Sequence, residues 1–252
     1  MNECIHEEEY RGFTIKVYPD YDEHNNPRDW DNLGTMVCWH KRYTLGDEGY
    51  CPPSGGTRYE SVRDWLEDKA SNHVPFDVDG LSDATLWKIV NRYYLVLELG
   101  LLDHSGLHMW VGGGAHWSDS AGWDSGSIGF IYVSHEDIRE NWSVKSVRHK
   151  VKRHGGGRIK AIDYARNVLK SEVDTYDDFL TGSVYGYVIE TPEGEEIGSC
   201  WGFFGDYDKN TIPECASIID HHIKSEREDH FNMLKGWIRN KVPLRCRQPL
   251  EV

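Results

Sequence analysis

A polar turn that runs straight into a buried strand organises this chain. Trp123-Asp124-Ser125-Gly126-Ser127 is turn chemistry, because Asp bonds its own backbone two residues on and Gly accepts positive φ. Ile128-Gly129-Phe130-Ile131-Tyr132-Val133 is β-branched and aromatic, which suits a strand packed on a core. A second polar turn, Asp103-His104-Ser105-Gly106, feeds Leu107 to Val111 in the same way. Between the two strands lies Gly112 to Gly122, rich in Gly, Ser, His and Trp. The pattern predicts a β-hairpin closed by a long loop, and long loops are where sites gather.

The rest of the chain supplies partners for that hairpin. Phe13 to Tyr18 alternates as a strand and stops at Pro19; Thr35 to His40 reads as another. Tyr93 to Leu102 is apolar on both faces, as a central strand requires. Val184 to Glu190 and Ile197 to Phe204 form a hairpin through Thr191-Pro192-Glu193-Gly194. Helical spacing covers Glu60 to Ala70, and Ser82 caps a helix from Asp83 to Val90. Arg158 to Val173 carries the clearest stripe, Ile159, Ile162, Ala165, Val168 and Leu169, and Gly182 stops its continuation. The tail reads as two helices, Pro213 to Lys224 and Arg227 to Asn240. The predicted fold class is α+β: a mostly antiparallel central sheet, helices on one face and a helical C-terminal segment. An α+β core is expected over 1–205 and a helical extension packed on it over 206–252.

Charge and length narrow the function classes. The chain has 252 residues and a formal charge of −14. Its start, Met1 to Glu9, is acidic and lacks the apolar core of a signal peptide. The longest apolar run, Tyr93 to Leu102, holds Glu98 and falls short of the roughly 20 residues that span a bilayer. These features predict a cytoplasmic protein with no membrane partner. Six cysteines without a CxxC pattern then read as free thiols, with Cys38 and Cys200 packed in strands. The acid is interrupted once: residues 145–160 hold Lys145, Arg148, Lys150, Lys152, Arg153, Arg158 and Lys160 and no carboxylate. Direct nucleic-acid contact is therefore expected nowhere except this strip.

Five motifs resemble those of a protein family common in phages and other mobile elements. They are Trp30-Asp31-Asn32-Leu33-Gly34-Thr35-Met36, Asp103-His104-Ser105-Gly106, Trp123-Asp124-Ser125-Gly126 with its strand, Thr175-Tyr176-Asp177 through Leu180-Thr181-Gly182-Ser183-Val184-Tyr185-Gly186, and Ser199-Cys200-Trp201-Gly202-Phe203. The chain departs from the family at Val111 to Gly122 and over Gly49 to Gly80. The resemblance implies a mobile-element origin and implies no activity.

Four constellations could carry chemistry. Asp103, His104, His108, His116, Asp119 and Asp124 offer imidazole and carboxylate ligands for a divalent metal that would polarise a phosphate and activate water. The spacing matches no metal motif, and the plainer reading is turn-capping acids beside histidines on a wet loop. Gly155-Gly156-Gly157 ahead of a helix, flanked by Lys152, Arg153, Arg158 and Lys160, could present N–H groups to an anion. Cys38, His40 and Cys51 are thiolate and imidazole candidates for zinc, although a buried Cys38 explains the strand better. The acidic surface itself could occupy a DNA-binding protein, since its charge terms are those of a phosphate backbone.

No motif of high catalytic specificity stands out, so the expectation leans away from an enzyme. It is a phage or mobile-element accessory protein that acts by stoichiometric binding to a host factor, with counter-defence through the acidic surface as one form. Trp30, Asp31, Asn32, Trp123 and Asp124 are the expected contact residues. The alternative is a metal-dependent phosphoesterase or nucleotide hydrolase, or a nucleotide-signal sponge, working from the Asp103–Asp124 loop. No cofactor is firmly implied, and a divalent metal is the one candidate.

Overall fold

The computed structural model describes residues 3–50, 59–119, 121–141 and 161–241. In chain order its elements are β1 (His6–Tyr10), β2 (Phe13–Pro19), β3 (Thr35–Trp39), β4 (Glu48–Tyr50), α1 (Val62–Ser71), α2 (Asp83–Tyr93), β5 (Tyr94–Asp103), β6 (Leu107–Val111), β7 (Ser125–Ser134), α3 (His135–Asn141), α4 (Ala161–Thr181), β8 (Val184–Glu190), β9 (Glu196–Phe204) and α5 (Tyr207–Lys241). The fold is α+β, and its strand pairs are antiparallel except β3 with β4. The strands form two sheets rather than one. Each sheet belongs to its own compact unit: Met1–Asp22 with Ser183–Val252, and Glu23–Gly182. The division does not fall at residue 205, because the C-terminal helix shares a unit with the N-terminal strands.

In the terminal unit the order is β1-β2-β8-β9. Arg11 and Gly12 both have positive φ, +53° and +87°, which is the two-residue turn that matches strand twist. β1 was not visible in the sequence, because His6-Glu7-Glu8-Glu9-Tyr10 reads as solvated charge. It is a charged edge strand, a device that blocks edge-to-edge aggregation. Ile15, Val17, Tyr187 and Ile189 pack against Cys215 and Ile219 of α5. That helix is continuous over 35 residues with Pro213 inside it, where two helices were expected. Pro213 costs one hydrogen bond near the start, and Ser225-Glu226 offers no breaker at the expected gap. Cys200 is exposed on the edge strand β9, not packed as its neighbours suggested.

In the central unit the order is β4-β3-β7-β5-β6. Helices cover both faces. On one, Ala165, Leu169 and Val173 of α4 pack on Leu97, Leu99 and Ile131. On the other, Trp65 of α1 and Leu86 and Val90 of α2 pack on Val37 and Tyr132. Trp65 is fully buried, 5.3 Å from the rings of both Phe130 and Tyr132. The predicted hairpin of β6 with β7 is replaced: β5 lies between them and pairs with both. Residues 112–124 are therefore not a hairpin turn. They are a crossover from the outer edge of the sheet to its middle strand.

A buried arginine fixes the start of β3. Arg28, 8% exposed, donates to both carboxylate oxygens of Asp47 at 2.9 and 2.6 Å and to the Gly34 carbonyl at 2.6 Å. Glu172 of α4 lies 3.5 Å from its guanidinium and accepts the Leu33 and Gly34 N–H groups at 2.7 and 3.1 Å. Gly34 is pressed against the core so closely that a β-carbon there would lie 2.4 Å from Leu169 and 2.8 Å from Ile131. Gly34→Ala should thus cost about 1–3 kcal/mol, read from urea unfolding, since overpacking forces side chains off rotamer. Gly126→Ala, whose added carbon meets nothing within 4 Å, serves as the control. Equal midpoints for the two variants would contradict the packing described.

Candidate functional site

Strand register brings three segments of the central unit to one rim of its sheet. β3 runs out at Trp39 and delivers His40, Lys41 and Arg42. The tight turn from β5 to β6 presents Asp103 and His104, with Ser105 at φ +57° and the His104 N–H bonded to the Gly106 carbonyl at 3.1 Å. The start of β7 brings Trp123, Asp124 and Ser125, tied to the turn by the Asp103 N–H on the Asp124 carbonyl at 2.8 Å. All of these rim residues except His104 line a cleft of about 530 Å³.

The crossover loop above this rim is held by side-chain bonds. Ser127 donates to Glu98 at 2.5 Å, and the Gly112 N–H bonds the Glu98 carbonyl at 2.7 Å. The Gly114 and His116 N–H groups bond the hydroxyls of Ser127 and Ser125 at 3.3 and 2.9 Å. Asp119 accepts the Asp124 N–H at 2.8 Å and the Ser125 hydroxyl at 2.9 Å, and the first of these holds its carboxyl below the usual carboxylate range. Trp110 lies over Gly100, where a β-carbon would come within 2.3 Å of its ring. His116 follows at 5.0 Å from Trp110, and Trp117 at 5.2 Å from His116. The aromatic run thus leads from the sheet into solvent. Trp117 is 88% exposed and Trp123 is 87% exposed.

Each acid on the rim has a basic neighbour. Arg42 is hydrogen-bonded to Asp103, whose carboxylate also lies 3.6 Å from His40 Nε2. His40 Nδ1 faces the N–H groups of Arg42 and Tyr43 at 3.2 and 3.1 Å, so it is the acceptor and the proton sits on Nε2. The ring stacks on Tyr43 at 5.1 Å. Burial lowers the His40 pKa, against an opposite pull from Asp103. His104 Nδ1 is 3.0 Å from Asp124.

The six metal candidates separate into different settings. Asp103, His104 and Asp124 share the rim, Asp119 braces the loop and His116 stands in the aromatic run. His108 lies on the outer edge strand, 3.7 Å from Asp177 of α4. Among the described residues no three His, Cys, Asp or Glu are grouped so as to hold a metal ion. Cys38 is buried and its thiol is pushed up to about 12 by that burial, away from thiolate chemistry; Cys51 lies outside the described residues. The expected contact residues fall in two clefts. Trp123 and Asp124 are on this rim, whereas Trp30 and Asn32 line a cleft of about 340 Å³ with Tyr164 and Glu172 of α4. Asp31 is exposed beside them. Lys152, Arg153, Arg158 and Lys160 lie outside the described residues. Arg42 and Trp117 were missed. Their signals were a basic run at a strand end and a tryptophan among glycines and serines.

Among the described residues no helix is long and apolar enough to cross a membrane. Comparison with family models, with curated proteins and with solved structures finds no match for this chain.

The His40 environment sets a pH dependence. A histidine whose folded pKa is depressed binds fewer protons folded than unfolded. Its contribution to stability is therefore lost as pH falls below the unfolded value of about 6.5. Asp103→Asn removes the one charge pulling the other way, so the His40 titration followed by NMR should move further down. A titration that stays in place or rises would show that Asp103 does not act on His40.

Proposed function

We propose that this chain works by stoichiometric binding to a host protein and that residues 112–124 with the adjoining rim are its contact surface. The observation that carries this reading is the exposure of Trp117 and Trp123, 88% and 87%, on a loop whose backbone is fixed from below. Burying a tryptophan removes roughly 150–250 Å² from water, about 4–6 kcal/mol before the costs of association. A monomer leaves that gain unused. Tryptophan is also among the residues that dominate interface energies, because its large ring has only two side-chain torsions to freeze. The side-chain bonds to Ser125, Ser127 and Asp119 pre-order the loop, so little further entropy is lost on docking.

Charge suggests what the partner looks like. The chain carries −14, and the rim and loop hold Glu98, Asp103, Asp119 and Asp124 against Lys41 and Arg42. A basic surface on the partner would be steered in and matched here. A DNA-binding protein of the host has that character, which is the counter-defence form of the proposal. The mobile-element setting rests on the motif resemblance.

The test is quantitative capture from host lysate with the parent chain and with Trp117→Ala and Trp123→Ala. Both substitutions are at exposed positions, so the melting temperature should hold. A host protein retained in near-equimolar amount should bind each variant at least about tenfold more weakly, the scale of a loss near 1.4 kcal/mol. Capture that is unchanged by both substitutions, or no stoichiometric partner at all, would overturn the proposal.

A further inference from the structure

Two acids on the rim have an aromatic residue beside them, and one of these pairs holds an arginine of the chain itself. Arg42 is hydrogen-bonded to Asp103, and its guanidinium carbon lies 5.5 Å from the centre of the Tyr43 ring. A carboxylate together with a ring suits a guanidinium, which donates in a fixed planar fork and stacks on π faces. Asp124 and Trp123 line the same cleft. The Asp124 side chain is 49% exposed, and its Oδ2 faces His104 Nδ1 at 3.0 Å. Among the described residues its Oδ1 accepts no hydrogen bond. Trp39, Leu101 and Ile128 also line the cleft, apolar surface on which the stem of a long side chain can lie. With Arg42 engaged by Asp103, the rim and loop keep Glu98, Asp119 and Asp124 against Lys41, so an incoming cation is favoured over an anion.

We infer, resting on the contact-surface reading above, that this cleft receives an arginine side chain of the partner, its guanidinium on Asp124 and against the Trp123 ring. Asp124 selects the charge. Trp123 selects arginine over lysine, whose compact and strongly hydrated ammonium gains less from a ring face. Lys41, exposed in the same cleft, sets a limit on affinity by repulsion. The partner is thereby narrowed from any basic surface to one that projects an arginine.

The test titrates acetylated tetra-arginine, tetralysine and tetraglutamate peptides into the pure chain. Calorimetry gives the affinities, and the indole N–H signal of Trp123 in NMR spectra locates the site. Tetra-arginine should bind at least about threefold more tightly than tetralysine, the step an exposed cation–π contact supplies, and tetraglutamate should leave the signal in place. Asp124→Asn should weaken tetra-arginine at least about threefold. The backbone bonds of residue 124 to Asp119 and Asp103 remain in that variant, so the loop is kept. Trp123→Leu should erase the preference for arginine, and Lys41→Met should tighten both basic peptides. Equal affinity for the two basic peptides, binding that moves no Trp123 signal, tighter binding of tetraglutamate, or an affinity unchanged by Asp124→Asn overturns the inference. No host protein enters these titrations, so their failure is distinct from a failure of lysate capture, where Trp117→Ala and Trp123→Ala judge the contact surface.

Discussion

The buried guanidinium of Arg28 is the interaction on which the central unit depends. It holds three stretches that no local pattern joins: the turn around Pro27–Asp29, the loop carrying Asp47, and the middle of α4 through Glu172. Burial opposes its charge, but the two carboxylates prevail and keep its pKa above the usual value. Glu172 is raised by its own burial, against the pull of Arg28 and of the Leu33 and Gly34 N–H groups. A carboxylate so placed has meaning only with its partners. Removing one partner of such a network leaves a buried charge uncompensated, which is why breaking buried pairs costs about 3–5 kcal/mol. The consequence reaches the rim. Asp47 also accepts the Met36 N–H at 2.6 Å, so the same network sets where β3 begins. β3 pairs with β7 from Thr35 to Cys38, and that register delivers His40 and Arg42 beside Asp103 and Asp124.

Much of this was legible in the sequence because it is encoded locally. Period-two alternation placed β2, the Thr191–Gly194 turn placed β8 and β9 on either side of it, and the stripe on residues 159–169 marked α4, whose described part begins at Ala161. Ser82 stands at the start of α2 as read, but its hydroxyl meets that of Thr85 at 2.9 Å and makes no capping bond to the backbone. What was not legible is pairing across long separations. β2 finds β8 some hundred and seventy residues away in sequence, matching Ile15 with Ile189, and nothing local announces it. β6 and β7 look like the arms of one hairpin, yet the doubly apolar β5 takes both as neighbours because it needs a strand on each side. Cys200 follows the same logic in reverse. Its neighbours looked like core, but β9 is an edge strand whose register shifts twice along β8.

The site was half legible for a related reason. Turn chemistry marked Asp103, His104 and Asp124, and the structure does bring these three together, Asp103 and Asp124 in the cleft and His104 beside it on Asp124. Counting histidines and acids over residues 103–124 also suggested a single ligand set. Folding distributes them among an ion pair, a loop brace, an aromatic run and the far edge of the sheet. The carboxylate of Asp119 shows the difference most clearly: it is spent on the Asp124 N–H and the Ser125 hydroxyl. Its work is to stiffen the loop that carries Trp117 and Trp123. The exposure of those rings is a tertiary property, and in the sequence they could as well have been core.

The proposed contact loop can be examined in place. Hydroxyl-radical footprinting reads the accessibility of Trp117 and Trp123 in the purified chain and in concentrated host lysate. The account predicts strong labelling of both rings in the pure protein and marked protection of both in lysate, with exposed Trp30, in its separate cleft, as the internal reference. Equal labelling in the two conditions, or weak labelling of the pure protein, would contradict it.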